Sequence, residues 1–575
     1  MAVKKNKKIR VSEKQPVSLV QSNERLNHFI LALIVIFTVF LFAKSIFYQF
    51  VFWDDTYYVV ENSLIMDLSP RGLVNIFTTP VLGMYNPIPF LVYAIEHAIW
   101  GLNPKVFHFF NILFHLIAAI VLYKFILRLT KRYETAAIVT LLFAIHPMHV
   151  GVVAWVSQTK TSIYFIFYIL ALSKYLRYIQ DNYKIKNLVY VGIFFILSAL
   201  SKPSAVTLAP MLFLFDYYLG RKLDKRLIIE KIPFFMISVF FGILTLMTHG
   251  ESNDSIFNVN LNYSFINNLL IANYSVVFYI NKFFVPIDLS AIYPYPDNTT
   301  YLPLKYYLSL FVIPTILWLV YKSGKFRKEM IFGLLFFSIS ISVLIRLVPT
   351  GFFSVANRYS YLSYTGLFFI IGQFFTYMLD NKFSISAKTK SYLYATFFSF
   401  VVFFSYRTTI RVSKWENSIT LFDDVIKKSQ KIPIAYNNRA LAKLNNGDNW
   451  GALNDFSLAL KLDTAYTEAY LNRGLINYNL GKLDEAMADY NKSLTFNPKL
   501  GAAFFNRALV KMKRKDKKGA LEDLKIADSL DINEAENLIE QLSVNSPATN
   551  RIPNLTIDET QNGIQTEQME IGSTQ

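Results

Sequence analysis

The sequence predicts an all-α protein in two parts, a polytopic membrane helix bundle followed by an α-solenoid of helical repeats. Three observations lead to this fold class. The 575-residue chain is 53% hydrophobic and 16% aromatic, which is more apolar than soluble proteins of this length usually are. The first 410 residues contain many apolar runs long enough to cross a bilayer as helices. After residue 410 these runs stop and a 34-residue sequence period begins.

Apolar runs of about 17 to 24 residues predict about eleven membrane spans. The segment 265–285, FINNLLIANYSVVFYINKFFV, is ambiguous, and its Asn-rich start suits a re-entrant or surface helix better than a span. The predicted spans lie near residues 27–48, 106–129, 135–150, 162–178, 187–201, 203–219, 231–248, 305–322, 329–348, 360–380 and 391–407.

The distribution of charge predicts how these spans are oriented. In a soluble protein a net charge of +18 would suggest nucleic acid, but here Lys and Arg cluster in short loops between apolar runs and in the tail 1–26. Arg71 and Lys105 are the only basic residues in the first outer loop, 49–105. The positive-inside rule therefore predicts a multi-pass protein of the cytoplasmic membrane, with its amino terminus in the cytoplasm, its carboxy-terminal region outside and no nucleic-acid partner. The absence of cysteine excludes disulfides and thiolate metal sites.

The 34-residue period is that of the tetratricopeptide repeat, which has two antiparallel helices per unit. Asn-Arg recurs, and we assign Arg439, Arg473 and Arg507 to packing within the repeats. Lys515 replaces the turn glycines Gly447 and Gly481, so a different turn is expected in the third unit. The predicted repeat domain is 411–542, with units near 434–467, 468–501 and 502–533, a half unit leading in from residue 415, a capping helix EAENLIEQL, and a disordered tail 543–575.

Two adjacent acids, Asp54 and Asp55, follow the first span in the stretch VFWDDTYYV. One interpretation is a solvated loop with helix-capping acids. The other is catalytic, because a carboxylate held in a low-dielectric cleft at the membrane edge has the raised pKa that a general base needs.

The stretch FHFFNILFH places His108, Asn111 and His115 on one face of a helix, at i, i+3 and i+7. Polar groups within a span avoid lipid because their desolvation is costly. A structural hydrogen-bond cluster and a polar seam along a substrate cleft are both compatible with this pattern. A zinc site is a weaker hypothesis, since no third ligand is evident.

Three further stretches, HPMHVGVVAWVSQTK, SKPSAVTLAP and NRYSYL, contain the candidates His146, His149, Lys160, Lys202 and Arg358 at the outer ends of spans. Snorkelling explains any one of these cations. Because the outer face is otherwise nearly devoid of cations, Lys160, Lys202 and Arg358 together indicate ligands for a phosphate group.

These stretches, with FWDDTYYV at the start and the repeats at the end, resemble the transmembrane and tetratricopeptide repeat-containing O-mannosyltransferases and their bacterial relatives. The resemblance covers about residues 27 to 540 and implies that residues 27–410 form a membrane domain of the GT-C class. It implies a glycosyltransferase that moves a sugar, mannose being one candidate, from a polyprenyl phosphate to a protein hydroxyl on the outer face. The implied partners are the lipid-linked sugar, the bilayer and a polypeptide acceptor bound by the repeats.

The resemblance also implies roles for the candidate residues. Asp54 and Asp55 match the catalytic acids of the first outer loop, and the basic and His residues would stabilise the phosphate leaving group. The chain departs from the family pattern at Gly151 and Thr161, where acids are usual. Those departures leave open the sugar, the activity and any requirement for a divalent metal.

Two other functions compete with this one. A non-catalytic membrane scaffold would use the outer repeats to recruit proteins and would tolerate loss of the acid pair. A flippase or transporter would show inverted repeats with broken helices, and no such duplication is evident in the sequence.

Overall fold

The structure, a computed structural model, describes residues 17–251, 263–296, 301–345, 353–379, 386–543, 554–556 and 565–567. The predicted fold class is confirmed, since the described chain is a helix bundle followed by helical hairpins. Residues 1–16 of the predicted basic tail lie outside the described residues. So does most of the tail predicted to be disordered, in which two short strands, β3 (Asn554–Thr556) and β4 (Gln565–Glu567), pair antiparallel.

The membrane part contains seventeen helices among the described residues. Helices α1 to α17 are Val17–Phe42, Pro70–Thr78, Pro87–Trp100, Pro104–Thr130, Tyr133–Ile145, Val150–Val153, Thr159–Gln180, Ile185–Ala199, Leu208–Leu219, Lys225–Ile229, Ile232–Glu251, Phe265–Phe284, Leu304–Leu308, Val312–Lys322, Arg327–Ser342, Ser360–Leu379 and Ala387–Val412. Helices α2 and α3 lie within the first loop, and a short antiparallel pair, β1 (Tyr293–Pro294) and β2 (Phe353–Val355), precedes α16.

Fewer helices are long enough to cross a membrane than the sequence predicts. Seven qualify among the described residues, or eight if α5 and the segment Pro147–Val153, bent by 52°, count as one span. The seven are Glu24–Phe47, Pro104–Thr130, Val156–Gln180, Lys225–Thr248, Leu304–Lys322, Asn357–Leu379 and Ala387–Trp415.

Helix length accounts for the difference between these seven or eight helices and the predicted spans. Three predicted spans, 187–201, 203–219 and 329–348, become α8, α9 and α15, with 15, 12 and 16 residues. At about 1.5 Å per residue, α8 is only about 22 Å long, against a hydrocarbon core of about 30 Å. The apolar runs in the sequence extend through turns that shorten the helices.

Contacts between the two ends of the bundle place the first loop and the repeats on the same face. The amide of Gln49, just after the first span, donates to the carbonyl of Glu416 at 3.1 Å, just after the last one. The amide of Phe52 donates to Ser418 Oγ at 2.7 Å. The beginning of the first span and the end of the last therefore lie on opposite faces of the bundle, whatever the number of spans between them.

Helices α18 to α25 form the repeats, and α18 and α25 pack against the first and last hairpins. Their bounds are Ser418–Lys428, Pro433–Asn445, Asn449–Leu462, Thr467–Asn479, Leu483–Phe496, Gly501–Lys513, Lys517–Asp528 and Asn533–Ser543.

A repeated ion pair joins the two helices of each hairpin. Arg439 forms a two-pronged contact with Asp455, with nitrogen to oxygen distances of 2.8 and 2.7 Å. Arg473 with Asp489 and Arg507 with Asp523 repeat this geometry. The third guanidinium nitrogen reaches the preceding helix, at Asp423, Ser457 and Asn491 respectively. Each Arg therefore links three helices, which gives a physical basis to the packing role assigned to these residues.

The turn of the third unit does not differ from the others, contrary to expectation. Lys515 adopts φ 64°, close to Gly481 at φ 74°. A side chain in this left-handed conformation is disfavoured by about 1 kcal/mol or more. We expect Lys515→Gly to stabilise the full chain by about 1 kcal/mol in thermal unfolding. Gly481→Lys, the reciprocal change, should destabilise it, and equal melting temperatures for both variants would contradict this explanation.

Candidate active site

The acid pair lies in a tight irregular segment directly after the first span. A 3₁₀ turn, Ala43–Phe47, ends the first helix, and a single turn of π-helix, Thr56–Val60, follows the acids. π-Helical turns are rare and often occur at functional sites. The backbone conformation of this segment is therefore unusual in itself, independently of the two carboxylates that it carries.

Asp55 is fully buried and both of its oxygens accept hydrogen bonds. Oδ2 accepts from the amide of Val51 at 3.0 Å, and Oδ1 accepts from the amide of Ser157 at 2.8 Å and from its hydroxyl. Burial raises the pKa of Asp55 to about 6, and these hydrogen bonds limit the rise. Asp55 therefore fastens the first loop to the 3₁₀ turn Val156–Gln158, and its complete burial keeps it from contact with a substrate.

Asp54 is half-buried and is placed differently. Among the described residues it forms no hydrogen bond or salt bridge, and its charge acts on Lys160 and Tyr58. Since a carboxylate that accepts no internal hydrogen bond can accept one from a ligand, Asp54 is the member of the pair available for chemistry.

Three cations converge near Asp54, and we refer to Lys160, Lys202 and Arg358 as the cationic cluster. The Lys160 ammonium lies 4.0 Å from the centre of the Tyr58 ring, and Arg358 lies 5.5 Å from that of Trp155. The first turn of α7 carries Lys160. The start of the 3₁₀ helix Pro203–Thr207 carries Lys202, and the turn Asn357–Tyr359 after β2 carries Arg358.

The cationic cluster is only partly compensated by acids of the protein, since the charges of Asp54 and Asp55 act on Lys160. Lys202 Nζ donates to the Thr161 hydroxyl at 2.9 Å, and within the described residues none of the three cations forms a salt bridge. Burial and the charges of Arg358 and Lys160 lower the pKa of Lys202 well below its usual range. Three cations with only Asp54 and Asp55 acting on one of them leave an excess of positive charge, and a bound anion stabilises such an excess.

Thr161, one of the departures from the family pattern, contributes to the excess of positive charge in the cationic cluster. Its hydroxyl accepts from Lys202 and donates to Gln158 Oε1 at 3.0 Å. An acid at this position would pair with Lys202, whereas threonine leaves that charge uncompensated. The departure therefore favours anion binding rather than opposing it.

Gly151, the other departure, has a packing explanation. A Cβ atom at this position would lie 3.2 Å from the Trp415 ring. Trp415 stacks on Trp155 at 5.3 Å between ring centres, and Trp155 stacks on Trp53 at 4.6 Å. A longer acidic side chain at 151 would displace this three-tryptophan stack, which joins the first loop to the repeats.

Asn111 supports the site from the fourth helix. Its amide donates to the carbonyls of Val153 and Trp155 at 2.8 and 2.9 Å, and its oxygen accepts from the Thr159 hydroxyl at 3.1 Å. His108 Nε2 lies 3.3 Å from the Gln49 carbonyl. The contacts of Asn111 hold the turn that carries Ser157, and the contact of His108 holds the chain segment that leads to the acid pair. Asn111 and His108 therefore position the site without forming part of its exposed surface.

The three remaining candidate histidines, His115, His146 and His149, lie in the packed interior. His115 contacts the Tyr361 hydroxyl at 2.7 Å and the Ala144 carbonyl at 3.1 Å. His146 and His149 lie 3.1 and 2.8 Å from the carbonyls of Phe283 and Phe143. Each of these three histidines forms a hydrogen bond within the protein. That they line a substrate cleft stays a prediction. In the part of the chain described, no group of three or more His, Asp or Glu side chains is placed to hold a metal ion.

Sequence reasoning did not single out Ser157, Tyr58 or the tryptophan stack. No local pattern marks Ser157, whose role depends on a residue 102 positions earlier. The tryptophans gave only a weak indication in the sequence, which is their rarity: the chain has six. Three of these six stack on one another here.

Comparison with known proteins adds to this geometry. A family model described as dolichyl-phosphate-mannose-protein mannosyltransferase matches residues 85–249, and the tetratricopeptide repeat model matches residues 467–500. The predicted resemblance is confirmed. The matched segment 85–249 includes Lys160 and Lys202 but begins after the acid pair.

Relatives of similar organisation carry related names. Protein O-mannosyl-transferase F38B6.6 of Caenorhabditis elegans is 23% identical over 440 residues, which are 73% of this chain and 61% of the relative. Human protein O-mannosyl-transferase TMTC3 is 24% identical over 227 residues, 36% of this chain and 24% of the relative. The match thus spans about three fifths of the worm protein's length and about a quarter of the human protein's.

Solved structures give weaker likenesses. An oligosaccharyltransferase of Archaeoglobus fulgidus tethered with an acceptor peptide has a TM-score of 0.41 at 13% identity, over 68% of this chain and 55% of that one. YrrB, a tetratricopeptide repeat protein with an unusual peptide-binding site, has a TM-score of 0.21 at 18% identity, over 29% and 97%. Neither score is high enough to establish a common fold.

Proposed function

We propose that this protein is a membrane glycosyltransferase that moves a sugar from a polyprenyl phosphate to a hydroxyl of a polypeptide. One observation carries the proposal: Asp54, which has no internal hydrogen-bond partner among the described residues, acts on Lys160, one of three neighbouring cations that form no salt bridge within the described residues. At a membrane edge, an anion site can bind the phosphate of a lipid-linked donor, and a neighbouring carboxylate can take the proton of an alcohol acceptor.

The chemistry is displacement at the anomeric carbon. The acceptor oxygen forms a bond to this carbon while the bond to the phosphate oxygen breaks, and the bonding pair leaves with the phosphate. Asp54 accepts the proton of the attacking hydroxyl. The cationic cluster stabilises the negative charge that grows on the leaving phosphate.

The matched names support this class of reaction, and they make mannose the first sugar to test. The positive-inside pattern supports placing the first loop and the repeats on the outer face of the cytoplasmic membrane. The repeats, which share that face with the acid pair, would bind the polypeptide acceptor.

Reconstitution of the purified chain in lipid vesicles tests this function. Polyprenyl phosphates carrying mannose or another single sugar are added as donors, with a Ser- and Thr-containing polypeptide as acceptor, and acceptor mass is measured. We expect the mass of one sugar to be added from at least one donor and none from polyprenyl phosphate alone. Failure of every sugar-bearing donor would contradict the proposal.

A further inference from the structure

An open cavity of about 460 Å³ lies between the first loop and the junction of the second and third repeat units. Tyr57, Ser63 and Leu82 are part of its loop wall, and Lys499 and Asp531 are part of its repeat wall. Its volume is within the range of about 300 to 1,000 Å³ that is typical of ligand sites. Because the two walls come from separate parts of the chain, the cavity exists only when the repeats are docked on the loop.

The position of this cavity relative to Asp54 is fixed by a short rigid segment. Tyr57 follows Asp54 by three residues, within the helical stretch that includes the π-turn Thr56–Val60. Three residues of helix advance the chain by about 5 Å. The cavity therefore adjoins the segment that carries Asp54, although Asp54 is not one of its lining residues.

We propose that this cavity binds the polypeptide acceptor as an extended segment, with the repeats forming one wall of the acceptor site. The inference rests on the proposed function for the identity of its ligand. It differs from recruitment by the repeats alone, because the loop that carries Asp54 supplies the opposite wall.

The chemistry of the walls fits a peptide better than the phosphate of the donor. Two acids, Glu61 and Asp531, and one cation, Lys499, line the cavity with uncharged polar and apolar residues such as Ser63 and Leu82. A peptide backbone offers both donors and acceptors, and its side chains alternate in direction. The cationic cluster, in contrast, has three cations without a salt bridge within the described residues, and this excess of positive charge suits the phosphate.

Backbone strain occurs on both walls. Leu82 has φ 48° and Asp531 has φ 62°, both in the left-handed region that non-glycine residues rarely occupy. Such conformations cluster at ligand sites, where the surrounding structure holds them in place. Their presence on opposite sides of one cavity supports a binding role for it.

Binding of fluorescent Thr-containing peptides to the full chain in detergent, without donor, tests the inference by anisotropy. Ser63→Trp fills the loop side and Lys499→Glu reverses a charge on the repeat side, and both positions are exposed. Lys492→Glu, an exposed position of the same unit that does not line the cavity, is the matched control. We expect Ser63→Trp to weaken binding at least about tenfold and Lys499→Glu to weaken it as well, with no change in Lys492→Glu.

Asp54→Asn separates this inference from the proposed function, because it removes the base without touching the cavity. In the Asp54→Asn background, Ser63→Trp and Lys499→Glu should still weaken peptide binding, although this background transfers almost no sugar. Equal binding by both cavity variants and the control, or no binding by the unchanged chain, would overturn the inference. Cavity-dependent binding by a chain that transfers no sugar from any donor would instead overturn the proposed function and leave the docking site standing.

Discussion

Replacement of Asp54 by Asn lowers the rate of sugar transfer by about a hundredfold to ten-thousandfold, the range that a positioned general base contributes. Asn keeps the shape of the side chain but cannot accept a proton. Because Asp54 forms no hydrogen bond or salt bridge within the described residues, the substitution should leave expression and melting temperature unchanged. The measurement is transfer to the acceptor polypeptide by reconstituted protein.

Asp67→Asn is the matched control for this experiment. Asp67 is an exposed acid of the same loop, bonded to Ser69, and lies outside the site. It should transfer sugar at the unchanged rate. Full transfer by Asp54→Asn would contradict the assignment of the base, and it would favour the scaffold function, which does not need this carboxylate.

Replacement of Asp55 by Ala has a different effect, because Asp55 anchors the loop. The change leaves the amides of Val51 and Ser157 and the Ser157 hydroxyl without their acceptor. Each buried donor that loses its partner costs about 1 to 3 kcal/mol, so we expect the docked loop to lose about 3 kcal/mol or more. Limited proteolysis should cut Asp55→Ala within residues 49–105 much faster than Asp54→Asn, and equal rates of cleavage would contradict the anchoring role.

The pH dependence of the anchor follows from the same contacts. Burial raises the pKa of Asp55 from 3.8 to about 6, so the folded loop binds this proton more tightly than the unfolded loop does. The stability due to this proton is therefore fully present below about pH 4 and is lost as the pH rises through about 6. The melting temperature of the unchanged chain should fall over this interval relative to Asp55→Asn, and a constant difference would contradict the shift.

Some of this architecture could be predicted because it depends on local periodicity. The 34-residue period located the repeats, and the recurring Arg and Asp positions proved to be the two ends of one ion pair, as Arg473 and Asp489 show. The acid pair and the three cations were identified by their type and by their position at the ends of spans.

The different roles of Asp54 and Asp55 could not be predicted, because they depend on contacts with residues distant in sequence. Adjacent acids in a loop look equivalent until Ser157 is placed beside one of them. The lengths of the helices could not be predicted for a related reason, since hydropathy does not show where a helix such as α9 begins. His146 also illustrates the limit, because a histidine near a cleft and one bonded to the Phe283 carbonyl have the same sequence signature.

The sidedness of the first loop and the repeats is the claim on which the enzymatic account depends, and thiol labelling tests it most directly. The chain has no cysteine, so single Cys residues can each be probed with a membrane-impermeant reagent in intact cells. Suitable positions are Ser63 in the first loop, Lys499 in the repeats, and Lys184 between α7 and α8, at the end of α7 opposite Lys160. The account predicts labelling from outside at 63 and 499, and at 184 only after the membrane is opened. Labelling of 63 or 499 only after opening would contradict it.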